Sequence, residues 1–305
     1  MENFTFTKTP IAVFNEKTVN GNVVRVGTDE KRKAGNVVTV FDGKTETHYI
    51  MFHKGLEKIL LAVCMLLADL LNGNAQGNVY KRYMVSLVKH IWLVHHKNGK
   101  KRKSKLAGII SLSTCCLNNP FCLARMRDKT SICAHCFAAT QQSIQYGLTE
   151  HNIINGLILQ NIGIPEWAWQ AAYGKVLVNQ KEFRIESFGD TANMIQACNY
   201  LTFCKAFPHM NIAAWTKNVN IWLHAMDIMG KPANLSFVTS SYKVNKKDIY
   251  TDKRIDHSFT VYDKKTIAEK HIDINCGGRS CMGCIEKHVG CYFPDTERDI
   301  REELK

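Results

Sequence analysis

The chain has 305 residues and twelve cysteines, and the cysteines are spread unevenly. Cys115, Cys116, Cys122, Cys133 and Cys136 fall in one short window; Cys276, Cys281, Cys284 and Cys291 fall in another. The second window has the spacing C-x4-C-x2-C-x6-C. Gly277, Gly278, Gly283 and Gly290 lie among its thiols, where the backbone must turn tightly around something small. Thiols this dense either pair as disulfides or surround a metal, and the compartment decides between the two. The first residues, Met1 to Lys8, have no apolar signal segment. The most apolar run, Ile59 to Leu71, is too short to span a bilayer and contains Asp69. A cytoplasmic, non-membrane protein is expected, and its thiols would stay reduced. Clustered cysteines are then metal ligands rather than disulfides.

Cys133-x2-Cys136 and Cys281-x2-Cys284 are paired knuckles, each pointing two thiolates at one ion. Two such pairs can complete a tetrahedral zinc site with metal–sulfur bonds of about 2.3 Å. Thiolates suit an iron–sulfur cluster equally well, and spacing does not choose between the two. The C-terminal run opens with the spacing of plant-type two-iron ferredoxins, but Cys291 follows too soon for that fold. The middle window offers Cys122, Cys133 and Cys136. Three thiolates leave one position open, where a four-iron cluster would take an outside ligand. Cys115 or Cys116 could instead close the site, which spacing alone favours. The expected ligands are Cys122, Cys133 and Cys136, and separately Cys276, Cys281, Cys284 and Cys291. His135 and His288, inside the knuckles, read as bystanders on turns. Cys64, Cys198 and Cys204 fall on apolar helical stretches and read as core.

Lys plus Arg is 40 against 27 Asp plus Glu, a net charge of +13. That balance suits a polyanionic partner or an anionic cofactor. Lys97 to Lys105 carries six of the positive charges in nine residues. Its plain meaning is a solvated surface. Its sharper meaning is a phosphate-backbone contact made by Lys100, Lys101, Arg102, Lys103 and Lys105. No phosphate-binding P-loop, dinucleotide fingerprint or H-E-x-x-H zinc motif is present. Oligomeric state is not legible.

Three stretches follow from pattern: 1–105, 106–275 and 276–305. The first opens with alternating residues such as Val23–Val26 and Val37–Phe41, joined by the hairpin dipeptides Asn20-Gly21 and Asp42-Gly43. A helix is expected over Gly55–Asn72. Tyr80–His96 suits either period, and Ser113–Cys122 reads as loop. From Gln180 strands and helices alternate: Phe183–Phe188, a helix from Thr191 to Phe207 capped by Asp190 or Thr191, Asn211–Trp215, a helix over Asn220–Met229, Asn234–Thr239 and Phe259–Tyr262. The expected fold is α/β: a partial (β/α) barrel-like parallel sheet, an N-terminal antiparallel β segment and a C-terminal cysteine-rich knuckle. Chemistry in such folds collects at strand C-termini. Those ends carry Glu186, Asp190, Thr216, Lys217, Ser240 and Ser241, and Lys217 there could hold a phosphate or carboxylate.

The motif order Cys122…Cys133-Ala-His-Cys136-Phe137-Ala138, Phe188-Gly189-Asp190, Ala214-Trp215-Thr216-Lys217 and Cys276…Cys281-x2-Cys284 resembles a family of phage and prophage proteins labelled "gene product eighty-eight". The likeness runs from Leu106 to Cys291. Phe137 stands where the family usually has Tyr. The family is in turn similar in layout to radical S-adenosylmethionine enzymes. That resemblance implies a four-iron cluster on Cys122, Cys133 and Cys136, with Gly189 and Asp190 near a cofactor, S-adenosylmethionine among the candidates. The usual C-x3-C-x2-C spacing of those enzymes is here widened to ten residues in the first gap. The functional expectation is an iron–sulfur protein, radical-type in its chemistry, acting on an anionic or nucleic-acid-linked substrate in the host cytosol. Its alternative is a zinc-stabilised protein that binds nucleic acid or a host partner without catalysis.

Overall fold

The computed structural model describes residues 3–11, 35–41, 44, 46–98, 104–276, 280–296 and 299–304. The expected Val23–Val26 strand, both hairpin dipeptides, Gly277 and Gly278, and Lys100, Lys101, Arg102 and Lys103 lie outside those residues. Strands β1 (Thr5–Ile11), β2 (Gly35–Phe41) and β3 (Glu46–Met51) form an antiparallel sheet in that order. Val38, Val40, Tyr49 and Met51 bury one face of it.

Helix α1 (Lys54–Leu71) follows. Leu60, Val63, Cys64, Leu67 and Leu70 recur at helical spacing and are buried, so one stripe of the helix faces the core. Cys64 is a packed apolar residue, as its position implied. The ambiguous Tyr80–His96 stretch contains both structures: helix α2 (Gly77–Lys89), then the short strand β4 (Leu93–His95). Met84, Leu87 and Val88 make the helical stripe, and after Lys89 the pattern changes to alternation.

The large sheet has seven strands. Strands β5 (Ile110–Leu112), β6 (Glu182–Ile185), β7 (Asn211–Thr216), β8 (Leu235–Ser240), β9 (His257–Tyr262) and β10 (Asp299–Glu303) run parallel, each beside its predecessor in the chain. Strand β4 pairs antiparallel with β5 at one edge. Strand order never reverses, as in a barrel, but β4 and β10 remain open edges and the barrel does not close. Between β5 and β6 lie α3 (Pro120–Arg127), α4 (Phe137–Ile144), α5 (Tyr146–Asn161) and α6 (Glu166–Leu177). Later crossovers carry α7 (Met194–Ala206), α8 (Val219–Met229), α9 (Lys264–Lys270) and the short α10 (Cys281–Glu286).

The two-residue period of the strands sorts the faces of this sheet. Ile110, Leu112, Phe183, Ile185, Ile212, Ala214, Leu235 and Phe237 belong to the main core, together with Tyr200, Phe203 and Trp222 from α7 and α8. On the alternate positions, Ala213 packs with Ile109 against Cys281, Tyr292 and Phe293. Val238, Phe259, Val261 and Ile300 pack with Cys276 and Cys291. The C-terminal cysteine segment therefore covers the second face of the sheet and hands the chain on to its edge strand.

Candidate metal centre and cavity

Strand β5 ends in Ser113-Thr114-Cys115-Cys116, and these neighbouring cysteines part company. Cys115 belongs to the apolar core, whereas Cys116 lines a cavity with Cys122, Cys133 and Cys136. Extended backbone at Cys115 sends successive side chains opposite ways. The expected loop up to Cys122 is instead a 3-10 turn at Cys116–Asn118 followed by α3. Asn119-Pro120 nucleates that helix. Proline stands at its start, and the Asn119 side chain accepts from Phe121 N at 2.9 Å and Cys122 N at 3.4 Å. The same Asn119 donates to Asp190 O at 2.7 Å, fixing Cys122 relative to the end of β6. Ser131 caps the turn holding Cys133, accepting from Cys133 N at 3.1 Å. Buried Gln142 on α4 accepts from Cys116 N at 2.8 Å and donates to Thr114 O at 3.0 Å.

The cavity has a volume of about 180 Å³. Its other walls come from strand ends and nearby turns, including Arg125, Arg184, Glu186, Gly189, Asp190, Trp215 and Lys217. Thus Cys122, Cys133, Cys136, Gly189, Asp190 and Lys217, far apart in sequence, meet in one place. Asp190 is not a helix cap. Asn193 caps α7, accepting from Gln196 N at 3.0 Å. Asp190 instead turns inward and accepts from Thr216 Oγ1 at 2.5 Å, Thr191 N at 2.8 Å and Lys217 N at 2.8 Å. Burial raises its pKa against those hydrogen bonds and the charge of Lys217. Burial works to lower the pKa of Lys217, but the charges of Cys133, Asp190, Cys136 and Cys122 overcome it and leave the pKa raised.

Gly189 has φ +87°, and a Cβ there would stand 2.6 Å from both Thr114 O and Thr114 Oγ1. Only glycine lets the two strand ends approach this closely. Beneath it lies Glu186, which sequence placed at a strand end without a partner. Its carboxylate accepts from Thr114 N at 3.1 Å, Thr114 Oγ1 at 2.8 Å, Gln196 Nε2 at 2.8 Å and the Tyr200 hydroxyl. Burial outweighs these donors and pushes its pKa up to about 8. These partners come from two places far apart in sequence, Thr114 after β5 and the pair Gln196 and Tyr200 on successive turns of α7.

The four cavity thiols share an environment. Cys116 is hydrogen-bonded to Cys122 and to Cys136, and its pKa is held well above the ordinary range, first by the Cys122 contact. Burial raises Cys133. The contact with Cys116 raises Cys136, and burial adds to it. Cys116 thus joins Cys122 and Cys136, while Cys133 is bonded to Ser131. Among the described residues, no three His, Cys, Asp or Glu side chains are preset to chelate an ion. The donor set is nonetheless four soft sulfurs on one cavity wall, chemistry that fits a thiophilic metal once the metal displaces the protons.

The C-terminal thiols form a separate group with different neighbours. Cys276 is 3.3 Å from Lys105 Nζ, which also donates to Glu302 at 2.9 Å. Cys281 N donates to Lys105 O at 2.8 Å, and Cys276 N to Arg301 O at 3.0 Å. Lys105, one of the expected nucleic-acid contacts, is therefore engaged within the fold. Burial raises Cys276 and Cys281, with Arg184 and Lys105 opposing, and pushes Cys291 up to about 12. His135 and His288 are exposed, and His288 stacks on Phe293 at 3.9 Å. Cys204 and Cys198 belong to the core and its margin.

An open, sequentially wound α/β sheet with a four-thiol cavity at its strand ends is the class defined by this fold and site. The chain belongs to the Gene product 88 family, which it matches over residues 71–301. The match starts well before Leu106, where the motifs alone begin, and takes in α2 and β4, the elements that edge the large sheet. No curated protein matches the chain, and no solved structure does. Among the described residues no helix is long and apolar enough to cross a membrane.

Proposed function

We propose that Cys122, Cys133 and Cys136, with Cys116 beside them, hold an iron–sulfur centre, and that the cavity beside it is where this protein acts on an anionic substrate. The observation that carries the reading is the convergence of four thiols from three separate turns on one cavity that also contains Lys217 and Asp190. Four thiols gathered around a half-buried lysine are an unfavourable way to fill a protein interior. With thiolates on a metal, the ammonium becomes a counter-charge. A purely structural zinc knuckle closes on itself and needs no such cavity.

The finer reading is radical-type chemistry with S-adenosylmethionine. Its support is positional: the thiol loop follows the first parallel strand of a sequentially wound sheet, and Gly189-Asp190 ends the next. It requires an iron without a protein ligand, so it requires Cys116 to stay off the metal. Cys116→Ser separates the two. If the variant keeps its iron and sulfide, the site has an open position and cofactor cleavage is the next assay. If it loses them, all four thiols bind and the radical reading falls. The whole proposal fails if a Cys122→Ser/Cys136→Ser double variant binds as much metal as the parent chain.

A further inference from the structure

The cavity holds three cationic side chains, Arg125, Arg184 and Lys217. Two of them face thiols: Lys217 faces Cys122, Cys133 and Cys136, and Arg184 faces Cys276, Cys281 and Cys291. Arg125 sits among aromatic rings. Its guanidinium lies 3.6 Å over the Phe121 ring and 5.3 Å from that of Tyr242, and its buried Nε has no hydrogen-bond partner. The Nε of Arg184 is likewise buried and unpartnered, with the guanidinium 4.0 Å over Trp215. Neither arginine forms a salt bridge among the described residues. A buried guanidinium N–H without an acceptor is costly. Both arginines line one cavity with Phe121, Phe188, Trp215 and Phe259, and guanidinium donors beside aromatic rings suit an oxyanion carried on a small apolar body.

We propose that Arg125, supported by Arg184 and by Ser240 on the same wall, is the anchor for the carboxylate or phosphate of the cavity's substrate. The aromatic rings hold Arg125 in place, so its fork is set before the ligand arrives. Ser240 at the end of β8 adds a hydroxyl donor. This goes beyond the metal reading and does not depend on it, because the anchor is a guanidinium on an aromatic wall and not a thiol.

The test is calorimetric titration of the full chain, as purified, with inorganic phosphate and with benzoate; the stronger of the two reports which oxyanion the site takes. Saturable binding of either probe at one site per chain is expected. Arg125→Gln should weaken it roughly tenfold or more, the loss expected for one charged hydrogen bond. Lys247→Gln removes the same unit charge from a surface ion pair with Asp299 outside this cavity and should leave binding unchanged. If Arg125→Gln does not fold, Arg125→Lys keeps the charge and loses the fork, and should still weaken binding. No binding of either probe overturns the proposal, as does equal weakening by the Arg125 and Lys247 variants, or full affinity in Arg125→Lys. Metal content is measured on the same samples, so failure of the anion site and failure of the metal reading register separately.

Discussion

The two thiol groups differ in what surrounds them. The middle group sits where parallel strands end, its backbone held by Asn119, Ser131 and Gln142 and its thiols lining a cavity that contains Lys217 and Asp190. The C-terminal group lies against the face of the sheet, among Ile109, Ala213, Tyr292 and Phe293, and is tied to the neighbouring backbone through Lys105 and Arg301. The same residue type thus lines a cavity in one place and packs, partly buried, against the sheet in the other. The first arrangement suits a reacting centre. The second suits a clamp that fastens the edge strand β10 and the segment before β5 to the sheet. Arg184, with its stem on β6, borders both.

The comparison can be broken most severely at Gly189. Gly189→Ala places a methyl 2.6 Å from two oxygens of Thr114 at a positive φ, and should cost roughly 3 kcal/mol or more in chemical denaturation. If the groups are independent, any folded fraction should fail to hold the proposed metal at the middle thiols. Cys284→Ser should instead leave metal content and probe binding in the cavity unchanged. Gln142→Ala removes both hydrogen bonds that pin Thr114 and Cys116. It should lower stability by about 1–3 kcal/mol and speed release of the proposed cavity metal to a chelator. Unchanged release would mean that Gln142 does not hold the loop.

A separate effect concerns pH. The Glu186 pKa is raised by burial from 4.5 to about 8. Folding therefore takes up a proton there between those values. Its contribution to stability is fully present below 4.5 and is lost as pH rises through about 8. Glu186→Gln should flatten that decline in denaturation curves taken across the window. A variant that declines as steeply as the parent chain would assign the dependence to another group.

Much of the fold was legible because the large sheet is regular. Strands β7, β8 and β9 and helix α8 stand within a residue or two of where apolar alternation and periodicity set them. The strand-end residues Glu186, Asp190, Thr216, Lys217 and Ser240 were legible for the same reason, since parallel topology alone gathers them. Three things were not. Strand β10 is charged, Asp299-Ile-Arg-Glu-Glu303, and is a strand only because β9 offers it an edge. Asp190 resembled a helix cap because capping and cavity-facing roles call for the same residue, and only the position of Thr216 decides between them. The choice between Cys115 and Cys116 depends on backbone direction at a single residue, which spacing cannot encode. The Asn119-Pro120 start of α3 could have been read, because Asn before Pro at a helix start is a local signal.

Iron and acid-labile sulfide analysis, with a visible spectrum, on protein purified without oxygen tests the central claim most directly. Iron and sulfide together, with a broad thiolate-to-iron absorption that disappears in the Cys122→Ser/Cys136→Ser variant, is the expected result. Colourless protein, whether metal-free or carrying zinc without sulfide, would contradict it.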